Sequence, residues 1–418
     1  MKAFPYIFNE GLVKGLRRFS LNPRNEQTLV ECHNAMPCEE GLRPHEVVLS
    51  LDSDSVTWEE DIVYGYSENS LWVTGYNALY ALGLGDTTDR CLFSETSGVW
   101  DSISGNGNNA SLAIKSDGTL WGAGYGLYGC LNSGSIVTLI IFTQIGTDTD
   151  WAKVKGSNVG GLQVLAIKTD GSLWVTGYNS HGQLGLGDTT NRLSFVQVGS
   201  GTDWAEVGVG NCDSYAIKTD GTLWSTGWNN YGQLGQGDEV EVTSFTQVGV
   251  GTTWSKVAAG SSHTIVTKTD GTLWSTGLGG SGRLGLGDTS DRNTFEQAGV
   301  ATDWDKIACG DSHSFAINTS KELWGTGLNG NGQLGMGATS SVDEFTQIGS
   351  GLWDEIASGR VHALGISSTG GLWSTGYNHK GQLGLGDQVQ RTEFTRVGSI
   401  SWAKISCGSY NSLALVGS

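Results

Sequence analysis

A Leu-Trp pair returns along this chain at Leu71-Trp72, Leu120-Trp121, Leu173-Trp174, Leu223-Trp224, Leu273-Trp274, Leu323-Trp324 and Leu372-Trp373, with successive Trp spacings of 49, 53, 50, 50, 50 and 49. One copy of the surrounding phrase runs from Lys218 through Asp220-Gly221 and Leu223-Trp224 to Gly235. A period near fifty excludes most folds. One unit of that size cannot bury its own apolar face, so the chain must stack like units against one another.

The code inside each unit is for strands. Ser214 to Lys218 and Thr222 to Thr226 are short β-prone runs separated by Asp220-Gly221, a strong hairpin signal that recurs at Asp117-Gly118, Asp170-Gly171 and Asp270-Gly271. Phe245-Thr246-Gln247-Val248 supplies a third run and Trp254-Ser255-Lys256-Val257 a fourth. Four strands per unit describe a propeller blade. The 65 Gly against only 4 Pro would otherwise suggest low complexity, but the glycines keep fixed phases beside the tryptophans, which marks them as turn positions. Two Trp per unit account for fourteen of the 16; the second set is Trp100, Trp151, Trp204, Trp254, Trp304, Trp353 and Trp402. These rings are the apolar anchors of each blade.

The ends of the repeat are complementary halves. Residues 71–98 lack a preceding Trp-led strand, and the chain stops after Trp402 to Cys407 and Asn411 to Val416, which are that missing half. Six whole units and two halves predict an all-β, seven-bladed β-propeller of four-stranded blades over residues 61–418, closed by pairing of N- and C-terminal strands.

Residues 1–60 fall outside the repeat and form a non-repeat N-terminal arm. They are too poor in apolar residues for a core of their own, so the arm is read as a docking segment, with Phe4, Tyr6, Phe8, Arg17, Arg18, Phe19 and Arg24 as its candidate anchors. Cys32, His33, Cys38 and His45 are four potential zinc ligands, but their spacing is wrong for a zinc knuckle and packing is the preferred reading. No segment has signal-peptide or transmembrane character, which favours a virion or the cytoplasm and no membrane partner.

Charge and chemistry narrow the function. Basic and acidic residues balance within residues 1–50, so the net charge of -18 lies on residues 51–418 and argues against nucleic acid as partner of the propeller. The seven Cys are scattered without a disulfide framework, and Cys309 and Cys407 share one repeat phase as small buried side chains. Gly124 to Gly129 and Gly277 to Gly282 fit a dinucleotide-loop spacing without the βαβ context, and are the repeat's own turn. His263, His313 and His362 share a phase with Asp213 and Asn411 and are expected to hydrogen-bond within the blade; Asp188, Asp238, Asp288 and Asp387 are expected to cap turns. No catalytic, cofactor-binding or metal-binding residue is expected.

The phrase Gly182-Gln183-Leu184-Gly185-Leu186-Gly187-Asp188 and its copies, with Gly260-Ser261-Ser262-His263, Gly310-Asp311-Ser312-His313 and Gly359-Arg360-Val361-His362, resemble the repeat of the regulator of chromosome condensation superfamily over residues 65–418. That resemblance implies a seven-bladed propeller. It implies no single function, since the family spans a nucleotide-exchange factor for a nuclear GTPase, an ultraviolet-B photoreceptor, secreted inhibitors and scaffold domains. An arm without basic excess speaks against a chromatin tail, and the photoreceptor's Gly-Trp-Arg-His-Thr signature is absent. The arm's Asn9 to Leu16, Leu29 to Asn34 and Gly41 to Pro44 are similar to the openings of tailed-phage structural proteins. The expectation is a non-enzymatic interaction or structural propeller whose partners are other protein subunits. A virion component anchored by its arm is the first reading, an intracellular regulatory scaffold or GTPase nucleotide-exchange factor the second, and a secreted inhibitor the third.

Overall fold

The computed structural model describes residues 67–107, 109–132 and 134–417. The arm, with Phe4, Tyr6, Phe8, Arg17, Arg18, Phe19, Arg24 and the Cys32, His33, Cys38, His45 group, lies outside them.

The unit around Asp220 shows how the local code becomes a sheet. Trp204–Val209, Asp213–Lys218, Leu223–Gly227 and Val242–Gln247 pair antiparallel in chain order. The hairpin turns on Gly221, whose φ of +79° a residue with a Cβ rarely adopts. Asp220 fixes that turn: its Oδ1 accepts the Thr222 amide at 2.9 Å and the Thr222 hydroxyl at 2.7 Å, and the same hydroxyl accepts the Trp224 indole N–H at 2.9 Å. The relay repeats at Asp117-Thr119-Trp121, Asp170-Ser172-Trp174 and Asp270-Thr272-Trp274. The Leu-Trp phrase is therefore a turn and an indole anchor in one.

Four such four-stranded sheets are accompanied by one run of ten paired strands. Within that run Arg391–Cys407 pairs with Asn411–Val416, which pairs with Ser70–Gly75, which pairs with Arg90–Val99. The last strand of the chain and the first described one are thus neighbours.

Apolar clusters lie at the seams between successive sheets. Leu165, Ile167, Leu173 and Val175 of one sheet meet Trp204, Val207 and Val209 of the next, and Leu364, Ile366 and Leu372 meet Trp402 and Ile405 in the same way. Within each sheet the leading Trp stands edge-on to the following one, as in Trp204 and Trp224 at 6.0 Å and 76°. Packing that pair against Leu165, Ile167 and Leu173 of the preceding sheet joins the two units.

Cys309 and Cys407 are buried free thiols, pushed up to about 12 by burial, as the repeat phase implies. Asp188 caps its turn through the Thr190 amide at 2.8 Å and holds Arg192 at 2.6 Å. Among the described residues no helix is long and apolar enough to cross a membrane.

Candidate interaction surface

The Trp-led strands are the inner strands, and the loops at their far ends lie side by side from one unit to the next. Backbones there approach so closely that a methyl group on one glycine would strike the next unit's carbonyl oxygen. Added at Gly161 it would lie 2.7 Å from Gly210 O; at Gly210, 2.8 Å from Gly260 O; at Gly260, 2.5 Å from Gly310 O; at Gly310, 2.7 Å from Gly359 O; at Gly359, 2.7 Å from Gly408 O. Gly408 likewise abuts Gly107 O, and Gly107 stands 3.3 Å from Gly161 O by the same measure. Only glycine permits this throat.

Polar side chains stitch the throat from one unit to the next. His263, His313 and His362 place Nε2 at 2.9, 2.8 and 2.9 Å from Ser314, Ser358 and Ser412 Oγ. Each serine belongs to the following unit, so these bonds run between blades and correct the expectation of bonding within a blade. The reason is the throat itself: the histidine packs over Gly260, Gly310 or Gly359, and the nearest polar group is across the seam. Because Ser314 donates to Arg283 O, Ser358 to Gly359 O and Ser412 to Gln382 O, each serine oxygen accepts the imidazole Nε2–H. Burial pushes His313 and His362 down to about 3 and His263 well below its ordinary value.

Asp213 occupies the same phase in another unit. The Tyr215 hydroxyl lies 2.7 Å from both Asp213 Oδ2 and Gln233 O. One proton cannot satisfy two acceptors, so a protonated Asp213 that donates to Tyr215 completes the chain. Burial pushes this carboxyl up to about 7, against the Tyr215 hydroxyl and nearby backbone amides that favour the anion. The pH dependence follows from both signs. The folded histidines hold fewer protons than the unfolded chain below its ordinary value of 6.5, so their contribution is lost on acidification; Asp213 holds more between 3.8 and about 7, so its contribution grows. Three histidines outweigh one carboxyl. The midpoint of thermal unfolding is expected to fall between pH 7 and pH 5, and to fall further in Asp213→Asn; a rise toward pH 5 would contradict the neutral imidazoles.

Around the throat lies a second, apolar ring. The residue after each Thr-Gly or Ala-Gly pair is Tyr76, Tyr125, Tyr178, Trp228, Leu278, Leu328 or Tyr377, and all are half-buried. Each is fixed by its own backbone N–H, which donates to a throat loop carbonyl, as Trp228 does to Cys212 O at 2.9 Å and Tyr377 to Val361 O at 3.0 Å. The five aromatic members fall in consecutive units, and neighbours extend them: Tyr128 meets Tyr178 at 4.9 Å, Tyr231 meets Trp228 at 5.5 Å, and Tyr410 meets Tyr377 at 5.9 Å. The loops between carry Ser, Asn and Gly, among them Asn109, Asn211 and Ser261. Rigid Tyr and Trp anchors among small polar residues are the composition of surfaces that bind other proteins.

The sequence reading placed its candidate anchors in the arm and did not single out this ring. Its signal was present: Trp228 is one of two tryptophans outside the two repeat phases, and the aromatic after Thr-Gly recurs at Tyr76, Tyr178 and Tyr377. Among the described residues no group of three or more His, Cys, Asp or Glu could hold a metal ion.

Comparison with known proteins agrees with this architecture. The family described as Regulator of chromosome condensation (RCC1) repeat matches residues 220–267, 270–317 and 369–415, and a second profile of the same description matches 254–283, 304–333 and 353–382. The Ultraviolet-B receptor UVR8 of Arabidopsis thaliana is 28% identical over 164 residues, 38% of this chain and 35% of that protein. The chain thus matches about a third of that relative's length. Human WBSCR16 superposes with a TM-score of 0.75 at 18% identity, covering 84% of this chain and 100% of that one. Prp20p from Saccharomyces cerevisiae gives 0.76 at 16% identity, covering 84% and 92%. At these identities the likeness is one of fold. With the repeat matches it leads to one statement: the chain carries regulator of chromosome condensation repeats between residues 220 and 415 and folds like β-propellers built from them.

Proposed function

We propose that this chain is a ring of seven blades, closed between its last and first strands, that works as a non-enzymatic protein-interaction module and engages its partner through the throat face. Closure is supported by the inner strands, which contact in a circuit from Ser102–Asn106 through Trp151–Gly156, Trp204–Val209, Trp254–Ala259, Trp304–Cys309, Val342–Ser358 and Arg391–Cys407 back to the first. The observation that carries the functional reading is the ring of half-buried Tyr, Trp and Leu side chains. Aromatic side chains held rigid on an otherwise polar face lose little entropy on contact and bury much area. Protein binding by this fold has precedent, since Prp20p was described with its binding to Gsp1p and histones and yeast RCC1 (Prp20) was solved with Kap60 bound.

On sequence alone we add that residues 1–60 anchor the propeller in a larger assembly of protein subunits, a virion in the first reading. A single experiment addresses both parts. A photo-crosslinking residue at Trp228 or Tyr377 should give the same protein adduct, while one at Lys321, exposed at the opposite end of the strands, gives none. A chain starting at residue 61 should keep that adduct with purified partner but no longer enter the assembly. Adducts from Lys321 alone would refute the throat face, and normal incorporation of the shortened chain would refute the anchor.

A further inference from the structure

At the throat, Asn158 lies on the loop Ser157 to Leu162, which is longer than its counterparts. Its amide donates to Cys309 O and Ser358 O, both at 2.6 Å, on the inner strands of two other units. The opposite ends of the strands carry a second repeated device, in which a lysine reaches over the paired tryptophans of its own unit. Lys115, Lys168, Lys218 and Lys268 place Nζ 3.6 to 4.8 Å from the ring centroids of Trp121, Trp174, Trp224 and Trp274. The same ammoniums stand 4.7 to 5.1 Å from Trp100, Trp151, Trp204 and Trp254. Two indoles thus attract one cation. Where the residue before the leading Trp is acidic it joins them: Asp150 lies 3.1 Å from Lys168 Nζ and Asp203 3.2 Å from Lys218 Nζ.

The unit built on Trp304 and Trp324 keeps this arrangement and lacks the lysine. Its rings stand edge-on at 5.8 Å and 89°, and Asp303 precedes Trp304 as Asp203 precedes Trp204. Asn318 takes the lysine's place, opposite Trp304 as Lys218 is opposite Trp204. Its side chain turns to Glu322, donating from Nδ2 to Oε2 at 2.8 Å and accepting the Glu322 amide at 2.9 Å. Glu322 stands where the lysine-bearing units have Thr119, Ser172, Thr222 and Thr272. The exchange costs an anchor, since Trp324 Nε1 is buried without the hydroxyl partner that Thr222 gives Trp224. What it adds is a second carboxylate. Asp303 and Glu322 are half-buried, and among the described residues neither forms an ion pair.

The following unit shows that loss of the lysine alone does not make such a site. There Ser367, Leu352 and Gly371 stand in place of the lysine and the two acids, so no charge faces Trp353 and Trp373 from these positions. Asp303, Trp304 and Thr319 also line a surface cleft of about 370 Å³, bordered on its other side by Lys268 and Asp270 of the preceding unit. Clefts of this size take small molecules.

We infer that Asp303, Glu322, Trp304 and Trp324 bind a small primary alkylammonium ion that enters through this cleft. Its short chain and charged head do what the lysine stem and ammonium do in the other units. The net charge of -18 favours the approach of any cation.

The probe is n-butylammonium chloride, replacing sodium chloride at constant ionic strength. It should bind saturably in isothermal titration with a Kd on the order of 1 mM, and raise the unfolding midpoint of the full chain. Asn318→Lys supplies an internal ammonium; it should raise the midpoint by itself and weaken butylammonium binding at least about tenfold. Glu322→Thr, which restores the residue of the other turns and should fold, weakens binding about tenfold as well. Ser367→Lys in the following unit should leave binding unchanged. Butylammonium binding that survives both Asn318→Lys and Glu322→Thr, equal loss in Ser367→Lys, or no saturable binding to the full chain would each overturn the inference. Capture of a lysine-rich peptide without butylammonium binding would overturn it too, in favour of a protein ligand.

Discussion

A chain ending at residue 400 unfolds on the order of 10 °C or more below the full chain. The deleted segment holds Trp402, Leu413, Ala414, Leu415 and Val416, all buried, and all but the first on the strand between Arg391–Cys407 and Ser70–Gly75. Removing one buried residue of this size costs about 2–5 kcal/mol. Removing several together, with the hydrogen bonds of two strand pairs, exceeds what any surface deletion can cost. Ser70–Gly75 and Arg90–Val99 would keep each other but lose the inner half of their sheet, leaving a long unpaired edge that invites aggregation. Circular dichroism melting measures the effect. An unchanged midpoint would refute a blade shared by the two ends.

Gly310→Val is expected to destabilise by roughly 3 kcal/mol or more, while Gly330→Val stays within about 1 kcal/mol. At Gly310 the new Cβ is driven into the His313 ring and lies 2.7 Å from Gly359 O. Neither can yield alone. His313 is held by Ser358 and packs edge-on to Phe315 at 5.4 Å, and Gly359 is itself pressed against the next unit. At Gly330 nothing lies within 4 Å of an added Cβ, and its φ is not positive. Urea unfolding of the two variants compares them, and equal costs would mean that the throat is looser than its geometry.

Much of the fold was legible because its determinants are local. Asp220-Gly221 sets a turn, Thr222 and Trp224 set its indole relay, and the fifty-residue period multiplies both. The half-units at residues 71–98 and 401–418 pointed to the strand pairing between Ser70–Gly75 and Asn411–Val416 for the same reason. What spacing could not give is the identity of partners across a seam. His263 and Ser314 are bonded only because two backbones close on Gly260, a fact of packing with no trace in either residue's neighbourhood. The lone spacing of 53 between Trp121 and Trp174 announced an insertion, but that Asn158 would cross the axis depends on the width of the channel. Likewise Tyr178 and Trp228 sit in a phase visible from the repeat, and only the assembled face shows that they stay half-buried.

The closed ring we propose would have a soft mode that a compact domain lacks: it could flatten into an ellipse, each hinge turning slightly and no single contact bearing the load. Asn158 acts as a spoke against that distortion. Tied to Cys309 and Ser358, it fixes one diameter and leaves the perpendicular one to the stiffness of the seams alone. Cutting the spoke should therefore change the shape fluctuations of the ring in one direction before it changes the stability of any blade.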